Sequence, residues 1–95
     1  MSMEWMDYEG YEEQEKLEKL YNERADLQRE LRDAQENLEH SQKALEQLES
    51  NKEDGFEGVD ASISRREYQV KVYTKEIADL ERELYRLDGE ISLLE

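Results

Sequence analysis

The chain has 95 residues, 42% of them charged, with a formal net charge of −14 and neither proline nor cysteine. Its length allows one small domain with a thin core, and the lack of cysteine excludes disulfides, thiolate zinc sites and cysteine nucleophiles. No run reaches the roughly 18 apolar residues of a membrane span, and the acidic start lacks the basic and apolar regions of a signal peptide, so a cytoplasmic protein with no membrane partner is expected.

Charge is spread unevenly. Residues 1–15 carry six acids and no base, 16–49 nine acids and six bases, 50–61 four and one, and 62–95 eight and six. Lys and Arg do not cluster along the chain, and neutralising phosphates requires clusters, so no direct nucleic-acid binding is expected. A protein partner with a basic surface suits the two one-sided segments.

Residues 1–15 read as an acidic, aromatic N-terminal tail, in which Trp5, Tyr8 and Tyr11 alternate with acids around Gly10. Such side chains dominate binding hot spots, which makes these three candidate partner anchors. A frayed solvated end and a packed extension of the first helix are the other two readings. The first helical arm spans 16–50. Leu17, Leu20, Arg24, Leu27, Leu31, Ala34, Leu38, Ser41, Leu45 and Leu48 follow 3-4 spacing throughout, the a and d positions of a coiled coil.

Residues 51–61 interrupt that period and hold two of the four glycines, so they read as the turn of a helical hairpin. Glu53, Asp54, Phe56, Glu57 and Asp60 make this turn acidic around one aromatic, and they are the second set of candidate partner-binding residues. The second arm, 62–95, resumes the rule with Ile63, Arg66, Val70, Tyr73, Ile77, Leu80, Leu84, Leu87, Ile91 and Leu94. Asp60 or Ser62 is its expected N-cap, and Ser64 with Glu67 offers a capping box. Gly89 falls on an outward position, where fraying rather than a break is expected because Ile91 and Leu94 continue the stripe.

Folding the arms back places each a residue opposite a d residue through ten layers, from Leu48 with Ile63 at the turn to Leu17 with Leu94 at the open end. The expected fold is therefore all-α, an antiparallel two-helix coiled-coil hairpin. Tyr21, Tyr68, Val72, Tyr85 and Leu93 fall outside the seam, and with Arg24 and Arg66 they are expected to meet either a second hairpin, in a dimer or four-helix arrangement, or another protein. For the two arginines, heads extended to solvent past apolar stems are the competing reading.

Little in the chain supports chemistry. His40 is the sole histidine and sits on an outward position, and no phosphate loop or His-Glu-x-x-His motif occurs. The acidic turn, set against an EF-hand loop in either glycine register, lacks the required ligands. No metal, no cofactor and no catalysis are expected.

The Gre and DksA families enter the secondary channel of bacterial RNA polymerase on an antiparallel two-helix finger with an acidic tip, and residues 57–62, Glu-Gly-Val-Asp-Ala-Ser, resemble the Asp-x-x-Asp-x-Ala tip of the DksA family. The resemblance covers about six residues plus a common shape, with Glu for the first Asp and Ser for the Ala, and without those families' globular domain. It implies that Glu57 and Asp60 act at the polymerase active centre. Phe56-Glu57-Gly58 is similar to the Trp-x-Gly turn of WXG100-type secretion hairpins, although Gly89 stands where their Tyr-x-x-x-Asp/Glu signal would end on an acid. Small acidic coiled-coil proteins that mimic DNA offer a third likeness. The function expected from all this is non-enzymatic: a binding protein whose acidic tail and tip regulate or inhibit a larger, nucleic-acid-handling machine. The alternatives are a structural or assembly adaptor and a secretion hairpin.

Overall fold

The computed structural model describes residues 2–95, with side chains from Tyr11 onward. It contains two helices, α1 (Ser2–Glu53) and α2 (Asp60–Leu94), packed against each other as an antiparallel hairpin measuring 82 × 15 × 14 Å. With no proline to remove a backbone donor, and with Leu, Glu, Gln, Lys and Arg filling most positions, nothing in α1 interrupts the hydrogen-bond ladder over 52 residues.

The apolar repeat decides which faces meet. None of the twenty seam residues is exposed, and Ala34, Ile63, Leu80, Leu87 and Ile91 are the buried hydrophobic core. Small residues fill two of the buried layers, Ala34 opposite Ile77 and Ser41 opposite Val70. Cross-helix bonds at Arg24–Asp88, Ser41–Gln69 and Lys52–Asp60 each lie within one residue of the register that pairs Leu48 with Ile63. The seam is thus as the periodicity requires.

The ends of the helices differ from expectation. α1 runs three residues past Ser50, because Gly55 (φ 94°) closes it with a Schellman turn: Phe56 N–H donates to Asn51 C=O at 3.0 Å and Gly55 N–H to Lys52 C=O at 3.1 Å. Gly58, at φ 81°, then reverses the chain into α2, and Ile63 N–H donates to Val59 C=O at 2.9 Å. The N-cap position is Val59, with no side-chain cap, rather than Asp60 or Ser62. Asp60 is instead the first helical residue, where a carboxylate complements the helix dipole, and its side chain is held by the Lys52 ammonium at 2.8 Å. Ser64 and Glu67, expected as a capping box, lie inside the helix. Gly89 also lies inside α2, which continues unbroken to Leu94.

At the other end, helical backbone continues through the segment that the composition sets apart as a tail, beginning at Ser2 and passing through Gly10. Leu94 stands opposite Leu17, so about fifteen residues of α1, roughly 22 Å of helix, project beyond the end of α2. Among the described residues, no helix is long and apolar enough to cross a membrane.

Candidate interaction surfaces

Three surfaces carry the residues singled out above: the hairpin tip, the polar clusters set into or beside the seam, and the outer faces of the two helices.

At the tip, Glu53, Asp54, Phe56, Glu57 and Asp60 are all exposed, Phe56 to 63%. The Schellman closure bonds the backbone N–H groups of Asp54, Gly55 and Phe56 back onto the end of α1, and Glu57 follows on the short connection into α2. Lys52 is the base within the turn and is engaged by Asp60, which leaves Glu53, Asp54 and Glu57 without a counter-charge among the described ion pairs. The Asp60 carboxylate, by hydrogen bond and charge, holds the Lys52 ammonium above its ordinary pKa. A raised pKa means the pair's stabilisation is complete at neutral pH and is lost as pH rises through the folded-state value. The Lys52–Asp60 contribution should therefore vanish at strongly alkaline pH and be absent at all pH values in Asp60→Asn, so the stability difference between the two proteins should shrink as pH rises; a difference that stays the same from neutral to strongly alkaline pH would contradict this. The pair is fully solvated, so the difference will be small.

Of the N-terminal anchors, Tyr11 is exposed, whereas the side chains of Trp5 and Tyr8 lie outside the described residues. The structure brings none of these aromatics to the tip: the tail and the tip occupy opposite ends of the rod.

The seam arginines are satisfied within the chain. Arg24 Nη1 donates to Asp88 Oδ1 at 3.2 Å, and its guanidinium lies 5.5 Å from the centroid of the Tyr21 ring, whose hydroxyl donates to Glu95. This clasp ties the open end. Arg66 Nη1 donates to Gln69 Oε1 at 3.0 Å, and the same oxygen accepts from the buried Ser41 hydroxyl at 3.4 Å, forming a polar layer beside Leu45. Such a layer penalises slipped registers, since a shift would strand Ser41 without its partner. Tyr21 accordingly belongs to the clasp and not to a continuous outer stripe.

The outer faces are the feature that reading along the chain missed. The solvent-facing b, c and f positions of α2 gather Arg65, Lys71, Lys75, Arg82 and Arg86 against the single acid Asp79, and between them stand exposed Tyr68, Val72, Tyr85 and Leu93. Over residues 18–53 the same positions of α1 carry seven acids, four bases and no large apolar residue. A chain of charge −14 therefore has one net basic, aromatic-bearing face. Bases at successive intervals of six, four, seven and four look dispersed in linear order and converge only on the helix; a helical projection of the second arm would have revealed them.

His40 is exposed on the outer face of α1. Among the described residues, no group of three or more His, Cys, Asp or Glu side chains converges as a metal site would. Comparison of the chain with family models, with characterised proteins and with solved structures found no match.

Proposed function

We propose that the chain is a non-enzymatic, cytoplasmic coiled-coil binding protein that presents an acidic tip to a basic surface of a larger assembly, acting there as a regulator or inhibitor. The supporting observation is the tip itself: three unpaired carboxylates and an exposed phenyl ring, fixed by the Schellman turn at the end of a stiff rod. A rod carrying charge at one end suits insertion into a cleft, and the likeness of residues 57–62 to polymerase-channel fingers agrees with a nucleic-acid-handling target. Asp60 fits the finger role less well than Glu57, because Lys52 occupies its carboxylate.

The test is charge reversal at residues that do not support the turn. Asp54→Lys/Glu57→Lys should keep full helicity by circular dichroism but weaken capture of a nucleic-acid enzyme from host extract at least about tenfold, since like charges set against a basic surface cost several kcal/mol. Equal capture of that enzyme by both proteins would sink this reading. A second reading, a structural or assembly adaptor, is favoured by the basic, aromatic outer face of α2, which a tip-driven regulator does not need.

A further inference from the structure

We propose that the hairpins associate head to tail, the projecting start of α1 of one copy lying antiparallel along the tip half of α2 of the next, on Arg65, Tyr68, Lys71, Val72 and Lys75. The inference rests on the assembly reading and not on the tip acids.

The docking face comes first. From Ser64 to Ala78 the b, c and f positions of α2 carry three cations, two large hydrophobics and no acid, with the exposed acids Glu67 and Glu76 at the flanking e and g positions. Among the described residues Arg65, Lys71 and Lys75 have no carboxylate partner at salt-bridge distance, whereas Arg82 and Arg86, further along, are paired with Asp79 and Glu90. Tyr68 is exposed to 68%. This is a strip of unpaired positive charge interleaved with apolar surface, and it asks for an acidic segment that also brings aromatic side chains.

Residues 4–15 are that segment: six acids, no base, and the aromatics Trp5, Tyr8 and Tyr11. Their own chain cannot supply them to this face, because α1 leaves the open end pointing away from it. Residue 70 lies about 36 Å back from Leu94 along α2. A second copy can. When the tip of one hairpin abuts the open end of another, the projection of roughly 22 Å runs beside the first fifteen or so residues of the neighbour's α2, which is where the unpaired cations stand. The two helices are then antiparallel, and neither has to bend. Because the two surfaces in contact differ, the interface is heterologous, and repetition gives an open chain of hairpins instead of a closed pair.

The experiment uses the full chain, with weight-average molar mass from light scattering across protein and salt concentration and with emission from Trp5, the sole tryptophan. The wild type should grow in mass with concentration past two chains, with a concentration-dependent blue shift of Trp5, and both effects should fade as salt is raised. Lys71→Glu/Lys75→Glu and, separately, Glu4→Lys/Asp7→Lys/Glu9→Lys should each weaken association at least about tenfold while retaining helicity. An equimolar mixture of the two variants should restore it, since each acidic strip again meets a basic one. That rescue also excludes misfolding as the cause of the single defects. A wild type that keeps the mass of one chain at every concentration, a reversal without effect, or a mixture that fails to associate overturns the proposal. So does a chain that stays monomeric while its α2 face binds duplex DNA or phosphatidylserine vesicles. Failure of self-association leaves tip-dependent capture untouched, and Asp54→Lys/Glu57→Lys should not alter the self-association.

Discussion

Replacing Leu87 by alanine is expected to remove about 2–5 kcal/mol of stability, a large share of the roughly 5–14 kcal/mol available to a chain of this size. Leu87 is the most deeply buried large side chain, 1% exposed, and it packs in the layer that Arg24 occupies on α1. A single seam has no second layer of core to collapse into the resulting cavity. The Arg24 stem cannot follow, because its head is held by Asp88 and stacked on Tyr21. At about 4–8 °C per kcal/mol, the unfolding midpoint should fall by at least about 8 °C. Leu93→Ala, less than two turns away at a position 87% exposed, should change stability by less than about 0.5 kcal/mol. Comparable losses in the two variants, measured by thermal circular dichroism at low protein concentration, would mean that Leu87 does not sit in the seam.

Gly55→Val should also be strongly destabilising, but for a backbone reason. Gly55 has φ 94° and nothing within 4 Å of the position a Cβ would take, so the cost is conformational and not a clash with neighbours. Left-handed backbone costs an L-residue about 1–2 kcal/mol, and a β-branched side chain is the least tolerant of it. The substitution also weakens the two hydrogen bonds that end α1. Gly89, equally open to space but helical, predicts the opposite sign: Gly89→Ala should stabilise by about 1 kcal/mol. Urea midpoints for the pair, shifting in opposite directions, would separate a glycine required by the turn from one that merely weakens a helix.

The seam was legible residue by residue, because a period of 3.5 kept over five heptads in each arm leaves no other face to bury, and the antiparallel register follows from the turn. The ends of the arms were not, since helix termini are decided by a few local bonds. Asp60, which propensity assigns to the N-cap, is instead the first residue of α2 and pairs with Lys52. The Schellman closure left a readable trace in Gly55, two residues after Glu53, but two nearby glycines made the stop ambiguous. The tip was legible in composition, and what the structure adds is that its carboxylates divide into one engaged acid and three free ones. The outer stripe was mis-assembled because Tyr21 was grouped with residues of α2 by hydrophobicity alone. Its ring finds Arg24 three residues on, a neighbour that helical spacing allows, but its hydroxyl finds Glu95, 74 residues away, a contact that no linear pattern announces.

The antiparallel hairpin also sets an order of folding. Every contact between the helices is nested inside the one before it, so closing the six-residue connection from Asp54 to Val59 brings Leu48 to Ile63, and each further layer adds only a small loop-closure cost. The chain can zip from the turn outward, with the polar layer of Ser41, Arg66 and Gln69 met early enough to reject a misaligned start. The Tyr21–Glu95 and Arg24–Asp88 clasp closes last and opens first. Local opening therefore releases the projecting end of α1 while the tip stays formed, and amide exchange should quicken from the turn toward the termini, giving one rod a fast end and a slow end.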